Sequence, residues 1–190
     1  MILQFRKIIV GITGASGTLY GIYFLKACKM LKIETHLIIS DWGKQNIEYE
    51  TNYSIVEVEK LCSGIYDYND LAAPFSSGSF KHDGMVIVPC SMKTVGVLAN
   101  SISDNLIARA ADVSLKEGRS LLISPREAPL TVLHLENLLK LAKAGVIIFP
   151  PMPPMYSKPK EIDEMIFETV GRMLERMGFT NDLYSCWDGK

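Results

Sequence analysis

The chain has 190 residues, of which 48% are hydrophobic and 22% charged, and its formal net charge is −1. This length and balance are typical of one globular domain with a sizeable core, and we expect a single domain over 1–190. The near-neutral charge argues against a nucleic-acid partner, and no apolar run reaches the roughly 20 residues that a membrane span needs.

The cysteines and the amino-terminal residues bear on the compartment. Cys28, Cys62, Cys90 and Cys186 are scattered, with no C-x-x-C pair and no metal-like cluster. This usage favours reduced thiols and a reaction without a metal. The start, "MILQFRK", lacks the order of charged, apolar and small residues of a secretory signal. We therefore expect a cytoplasmic protein.

Five short apolar runs predict buried strands. In chain order they are "KIIVGI" (7–12), "THLIIS" (35–40), "GMVIVP" (84–89), "SLLISP" (120–125) and "GVIIFP" (145–150). Such continuous apolar runs are typical of strands that helices cover on both faces. Segments with helical spacing lie between them. One has a stripe at Leu19, Ile22, Tyr23, Lys26, Ala27 and Met30, with Lys26 the polar exception, and another is crowded with Leu133, Leu135, Leu138, Leu139 and Leu141. The alternation predicts an α/β fold, a three-layer, doubly wound parallel sheet of Rossmann-like type.

A glycine-rich turn, "GITGASG", follows the first strand and precedes the first helix. A strand, a glycine turn and a helix in succession aim backbone N–H groups at an anion, so we expect a bound phosphate. The spacing G-x-x-G-x-x-G differs from that of dinucleotide binders. Two alternatives stay open here: the turn only lets helix and strand pack closely, and Ser16 only caps the helix.

Polar residues also follow the other strands. Ser40 and Asp41 follow the second strand, "SMKT" (91–94) the third, "PREAP" with Arg126 and Glu127 the fourth, and "PPMPPMYSKP" the fifth. Because ligands of such sheets sit outside the carboxyl ends of the strands, one crevice could collect them all. The alternatives are a helix cap with a solvated lysine for "SMKT" and a surface ion pair for the Arg–Glu pair.

Several charged residues lie away from these turns. Arg109 and Lys116 are seven residues apart and hence on one helix face, and Glu50 is by default a helix-surface carboxylate. If the crevice holds a flavin mononucleotide, the extra cations, with Arg126 and Arg172, indicate a second phosphorylated ligand. Glu50 and Glu127 could then move protons, and Tyr156 could pack or clamp a ligand.

The motifs together resemble the UbiX/Pad-type flavin prenyltransferases, within the wider group of flavin-binding cysteine-decarboxylase-like flavoproteins. The resemblance covers nearly the whole chain and rests on "GITGASG", "SSGSF", "GMVIVPCSMKT", "DNLIARAADVSLKEGRSLLISPREAPL", "HLENLL", "PPMPPMY" and the tail "DLYSCWDG". It implies that the dimethylallyl group of dimethylallyl phosphate is joined to N5 and C6 of reduced FMN, and that the prenylated FMN passes to a UbiD-type decarboxylase. It also implies a homo-oligomer, usually a dodecamer, with sites shared between subunits.

The resemblance further implies roles for single residues. The implied FMN contacts are Gly14, Ala15, Ser16, Ser40, Ser91, Met92, Lys93, Thr94 and Arg126. The implied contacts of dimethylallyl phosphate are Tyr156 and Arg172, with Arg109 and Lys116 near its phosphate. Residues implied to act in the chemistry are Ser16, Glu50, Lys116 and Glu127.

Two positions depart from the family pattern, and two other functions compete with this interpretation. Met155 stands where an aromatic residue is common, and Pro154 where alanine or glycine is usual. One alternative is an FMN-dependent cysteine-type decarboxylase, which has a Pro-x-Met-Asn turn where this chain has Pro89-Cys90-Ser91-Met92. The other is a non-catalytic flavin-carrying subunit of an aromatic acid decarboxylase, which needs none of the implied catalytic residues.

Overall fold

The computed structural model describes residues 6–187 and 189; residues 1–5, which bear on the leader expectation, and residues 188 and 190 lie outside it. Six strands are present in this part: β1 (Lys7–Ile12), β2 (Glu34–Ile39), β3 (Gly64–Tyr66), β4 (Gly84–Cys90), β5 (Ser120–Pro125) and β6 (Ile147–Ile148). The α-helices are α1 (Thr18–Met30), α2 (Asp41–Glu50), α3 (Ile55–Glu59), α4 (Met92–Ala99), α5 (Leu106–Lys116), α6 (Val132–Lys143) and α7 (Ile162–Arg176), with a short 3-10 helix at Pro74–Ser76.

The strands form one parallel sheet in the order β3-β2-β1-β4-β5-β6. The chain runs outward from β1 to β3 on one side and then returns to the other side of β1 with β4. This reversal confirms the doubly wound α/β fold, and it puts a topological switch point between β1 and β4, where such sheets bind ligands.

Alternate residues of the strands enter two separate cores, one on each face of the sheet. Ile8 and Val10 of β1 pack with α1 and α7, whereas Ile9 packs with α4, α5 and α6. All three residues are fully buried. Because successive side chains of a strand point to opposite faces, a strand covered on both faces must be apolar throughout. This is the physical reason for the continuous apolar runs in the sequence.

The five predicted strands are confirmed, but three details of the sequence interpretation are wrong. Strand β3 was not predicted, because it has only three residues, pairs only with β2 at the sheet edge and lacks an apolar run. The predicted fifth strand shrinks to the two residues of β6. Met30 ends α1 with 64% of its surface exposed, so it lies off the buried stripe.

Helix α6 also differs from a simple core helix. Of its leucines, Leu141 is buried, whereas Leu133, Leu135 and Leu139 are 70%, 52% and 55% exposed. The helix packs on α4 and β6 at the edge of the sheet, so only one side of it meets the core. Within residues 6–187 and 189, no helix has the combined length and apolarity to traverse a bilayer.

An aromatic cluster with two histidines holds the edge strand β3 and the segment 74–82 in place. His36 of β2 lies 3.1 Å from the Tyr66 hydroxyl through Nδ1. The Phe75 ring meets Tyr66 edge-on, with centroids 4.6 Å apart, and Phe80 meets His36 at 5.3 Å. His82 stacks on Phe80. Offset and edge-to-face pairs of this kind stabilise a segment with little regular structure of its own.

The cluster makes stability depend on pH. Burial lowers the pKa of both His36 and His82, so the folded chain keeps them neutral. Below the ordinary histidine pKa of about 6.5, the unfolded chain takes up protons that the folded chain resists. Stability should therefore be lost as pH falls from about 6.5 towards the lowered pKa values.

We expect the thermal unfolding midpoint to fall between pH 7 and pH 5, and His82→Phe to reduce that pH dependence, because it removes one of the two groups. Scanning calorimetry over this range measures both. The control Phe80→Leu loses packing against His36 and His82 and should lower the midpoint while retaining most of the pH dependence. An unchanged pH dependence in His82→Phe would contradict this account.

Candidate functional site

A cavity of about 690 Å³ lies at the carboxyl ends of β3, β2, β1, β4 and β5. Its lining comes from the segments that follow these strands: Thr13, Gly14, Ser40, Asp41, Trp42, Tyr68, Ser91, Met92, Lys93, Thr94 and Glu127. The structure thus brings together residues that the sequence places far apart. The volume is in the range of small-molecule and cofactor sites.

The glycine turn after β1 is shaped by close packing and by backbone conformation. A Cβ on Gly14 would lie 2.4 Å from Cβ of Trp42, closer than real carbon atoms approach. Gly17 has φ +98°, a conformation that side chains disfavour. Gly14 thus lets the turn pack against α2 in the wall of the cavity, whereas Gly17 is required by its backbone conformation.

The carboxylate of Glu50 occupies the amino-terminal end of α1. Glu50 Oε2 accepts hydrogen bonds from the N–H groups of Gly17 at 2.8 Å and Thr18 at 3.0 Å, and from the Thr18 hydroxyl at 3.0 Å. Burial alone would raise the pKa of Glu50. The hydrogen bonds from Thr18, Gly17 and the Ser16 side chain outweigh burial and hold that pKa below its ordinary value.

This arrangement corrects two details of the sequence interpretation. Ser16 is not the N-cap of α1; Gly17 occupies that position and makes no side-chain cap. Glu50 is more than a helix-surface carboxylate, because it ends α2 and caps the neighbouring helix. The negative charge at the start of α1 is therefore the carboxylate of Glu50, and the N–H groups of Gly17 and Thr18 are already paired with it.

Thr13 joins the turn after β1 to the turn after β4. Its hydroxyl donates to the carbonyl of Pro89 at 2.9 Å and accepts from the N–H of Ser91 at 2.8 Å. The side chain is almost fully buried, with 3% of its surface exposed. Both bonds cross the switch point between β1 and β4. The backbone N–H of Thr13 also donates to the Pro89 carbonyl, at 3.2 Å, so one residue links the two turns through both its hydroxyl and its backbone.

Two helices begin at the cavity. Ser40 caps α2 by accepting from Gly43 N–H at 3.1 Å, and Ser91 caps α4 by accepting from Thr94 N–H at 3.2 Å. The cap expected as the alternative for "SMKT" is thus present, and Met92, Lys93 and Thr94 line the cavity beside it. Two helix amino-terminal ends and a lysine make this region of the wall suitable for a phosphate.

The Arg–Glu pair after β5 is not an ion pair in the part of the chain that the structure describes. Arg126 is tied to β4 by its backbone N–H, which donates to the Cys90 carbonyl at 3.2 Å, and its side chain is exposed. Glu127 lines the cavity, and its Oε1 accepts from the N–H of Ala128 at 3.1 Å. A carboxylate at this position can exchange a proton with a ligand in the cavity.

The two cations of α5 are not in the lining of this cavity. Arg109 donates through Nε to the carbonyl of Ser76 at 3.1 Å and pairs with Asp112 at 3.2 Å. Lys116 is exposed and lies 3.5 Å from Glu117. The aromatic cluster at β3 therefore also fixes the segment that Arg109 contacts.

Tyr156 and Arg172 belong to a third region, near the carboxyl end of the chain. The Tyr156 hydroxyl donates to the Ser185 carbonyl at 3.4 Å, and its ring meets Trp187 edge-on at 5.3 Å. Arg172 of α7 lies over the ring of Tyr184 at 5.3 Å. The residues predicted for the site are thus distributed over three places on one chain.

Sequence reasoning missed three residues of the lining: Thr13, Trp42 and Tyr68. Thr13 lies inside the recognised glycine motif, and Trp42 follows Asp41, so their positions at strand ends could have identified them. Tyr68 follows β3, which the sequence did not reveal. Burial raises the pKa of the Tyr68 hydroxyl, with Asp104 and Asp41 adding to the effect.

The sequence of this chain is similar to that of known proteins over most of its length. The family model described as "Flavoprotein" matches residues 3–176. The flavin prenyltransferase LpdB of Lactiplantibacillus plantarum is 48% identical over 185 residues, covering 97% of this chain and 99% of LpdB.

Two solved structures are also similar. The crystal structure of AnUbiX (PadA1) in complex with FMN and dimethylallyl pyrophosphate has a TM-score of 0.96 and 45% identity, covering 97% of this chain and 98% of that one. The dodecameric FMN-dependent UbiX-like decarboxylase of Escherichia coli O157:H7 has a TM-score of 0.94 and 44% identity, covering 97% and 100%.

The link through Thr13 can be tested by stability. Thr13→Val keeps the shape but leaves the Ser91 N–H without its acceptor, so we expect a loss of about 1–3 kcal/mol in the free energy of unfolding. Thr13→Ser retains the hydroxyl and should cost less. Urea denaturation of the three proteins measures the difference, and a Val variant as stable as the parent would show that the link is dispensable.

Proposed function

This chain belongs to the flavoprotein family, among its flavin prenyltransferases, and on that premise we propose that it joins the dimethylallyl group of dimethylallyl phosphate to N5 and C6 of reduced FMN. The observation that carries the proposal is the cavity at the switch point. It gathers a glycine turn, two helix amino-terminal ends, a lysine and a glutamate around one volume of about 690 Å³. The expected product is prenylated FMN.

The residues of the cavity fit FMN by size and by chemistry. A phosphate suits the caps Ser40 and Ser91, with Lys93 and Thr94 beside them. The absence of a side chain at Gly14 lets α2 pack closely against the turn, because Cβ of Trp42 takes the place that a side chain would occupy, and Ala15 and Ser16 continue that turn. Met92 and Arg126 complete the proposed FMN contacts. When bound and reduced, FMN supplies the electron-rich N5 and C6 atoms that accept the prenyl group.

The charged residues have separate proposed tasks. Glu127 lies in the cavity wall and would take or return a proton close to the ligand. Glu50 holds Ser16 and the start of α1 in position through its hydrogen bonds, and the N–H groups that donate to it stabilise its negative charge. Arg109 and Lys116 would stabilise the negative charge of the departing phosphate, which a cation does best where water is excluded.

The proposed site is shared between subunits of a homo-oligomer. Arg109 and Lys116 lie outside the cavity of their own chain, and Tyr156 and Arg172 lie near the carboxyl end. A second copy that brings its α5 to the cavity would supply the missing cations for dimethylallyl phosphate. The exposed leucines of α6 are a further apolar surface that association would bury. We propose a dodecamer, the state that the E. coli O157:H7 relative's description gives for that protein.

The proposed partner of the chain follows from its product, and its proposed location follows from its cysteines. Prenylated FMN would pass to a UbiD-type decarboxylase, the class of enzyme that uses it. A cytoplasmic location is supported by four free cysteines, of which Cys28 and Cys90 are buried. We take residues 1–190 as one domain, because the same sheet carries every element of the proposed site.

The direct test of the function is anaerobic. Purified protein is given reduced FMN and dimethylallyl phosphate, and the released flavin is weighed by mass spectrometry. We expect a gain of one C5 prenyl unit, lost or reduced at least about 100-fold in Glu127→Gln and in Lys116→Ala. Lys29→Ala, at the carboxyl end of α1 and away from the cavity, is the matched control and should retain activity. Bound but unchanged FMN would instead favour a flavin carrier or a cysteine-type decarboxylase.

The shared site predicts complementation between two inactive variants. Chains with Lys116→Ala and chains with Glu127→Gln are co-expressed, so that some sites combine an intact α5 with an intact cavity. Random mixing of the two chains should restore about a quarter of the normal activity per site. The control mixture of Glu127→Gln with Ser91→Ala places both defects in the cavity and should recover nothing. Equal activities of the two mixtures would rule out a site shared in this way.

A further inference from the structure

Trp42 is a large aromatic residue in the cavity wall and is not among the proposed contacts of FMN or of dimethylallyl phosphate. It is the second residue of α2, directly after Asp41, and it lines the cavity together with Gly14, Ser40 and Tyr68. Trp42 and Tyr68 are the two aromatic side chains among the lining residues.

Close contacts hold the backbone at Trp42 in place, whereas much of the indole surface is exposed to solvent. The position of a Cβ on Gly14 lies 2.4 Å from Cβ of Trp42, and a Cβ on Gly43 would lie 2.7 Å from the carbonyl oxygen of Ile12. The first turn of α2 therefore packs closely on the end of β1 and on the turn that follows it. Only the two side-chain torsions of Trp42 can move the indole.

The indole lacks the partners that a tryptophan of this kind normally has. It is 66% exposed, which leaves a large apolar area in water. Within residues 6–187 and 189, no aromatic ring stacks on it and no cation lies over its face. Trp187, by comparison, is paired with Tyr156.

We propose that Trp42 is a flavin-binding residue whose indole packs against the isoalloxazine ring of FMN. The inference rests on the proposed function only in that FMN occupies this cavity. The polar groups of the wall, which are the caps Ser40 and Ser91 together with Lys93, suit a phosphate, whereas the flat ring system needs the apolar surface that the lining offers at Trp42, Tyr68 and Met92. Of these side chains, the indole of Trp42 has the largest apolar face, and it gains from contact with the electron-poor ring of oxidised FMN. The fixed backbone gives the contact its position, so Trp42 orients the ring as well as binding it.

The experiment uses oxidised FMN, the full-length protein and two readouts other than activity. Equilibrium dialysis gives the dissociation constant, and time-resolved emission of bound FMN reports contact with the indole, which quenches a flavin by electron transfer over very short distances. We expect Trp42→Leu to weaken FMN binding about tenfold and to lengthen the emission lifetime. Trp42→Phe should keep most of the affinity and also lengthen the lifetime, because phenylalanine packs but does not donate an electron.

Tyr49→Leu is the matched control, because Tyr49 is an exposed aromatic residue of the same helix outside the cavity lining. Both its readouts should match the parent. A lifetime and a dissociation constant unchanged in both Trp42 variants would overturn the inference while leaving FMN binding intact. A change in assembly mass without a change in lifetime would also overturn it, because Trp42 would then cover a subunit contact. Failure of the parent to bind FMN is a separate result that removes the proposed function itself.

Discussion

The parallel arrangement of all six strands is the constraint on which the site depends. Parallel strands end at the same edge of the sheet, so the turns after β3, β2, β1, β4 and β5 meet around one cavity. The reversal of strand order between β1 and β4 sends the following helices to opposite faces and leaves a gap between them. Thr13 crosses this gap with three hydrogen bonds, two of its hydroxyl and one of its backbone N–H, and so links the two turns at the base of the site.

The helix starts at the site differ in whether their N–H groups are already paired with a carboxylate. The start of α1 is satisfied by Glu50, a carboxylate from the end of the next helix, and the lowered pKa of Glu50 expresses the stability of that contact. The starts of α2 and α4 are capped only by the single hydroxyls of Ser40 and Ser91. Because a helix start leaves several N–H groups without partners, both can bind an anion, and the start of α4 suits one better, since α2 carries Asp41 in its first turn and α4 has no acidic residue there.

One chain holds only part of the chemistry that its sequence suggests. The charged residues of the cavity are Asp41, Lys93 and Glu127, whereas the other cations lie on α5 and near the carboxyl end. The exposed leucines of α6 and the exposed pair of Tyr156 with Trp187 add apolar surface away from the core. In the proposed function, another copy brings its α5 to the cavity and so supplies these cations. Assembly and catalysis are therefore linked in the proposed function.

The sequence by itself determined the fold and the members of the cavity wall that follow long strands. Continuous apolar runs identify buried strands because both faces are covered, and Gly14, Ser40, Ser91 and Glu127 lie directly after them. Only the tertiary structure decided what depends on contacts between distant segments. The edge strand β3 and hence Tyr68 had no apolar run to reveal them, and the pairing of Glu50 with α1 joins residues 33 apart in the chain. The separation of Arg109 from the cavity was equally hidden, because helical spacing tells which residues share a face but not what that face meets.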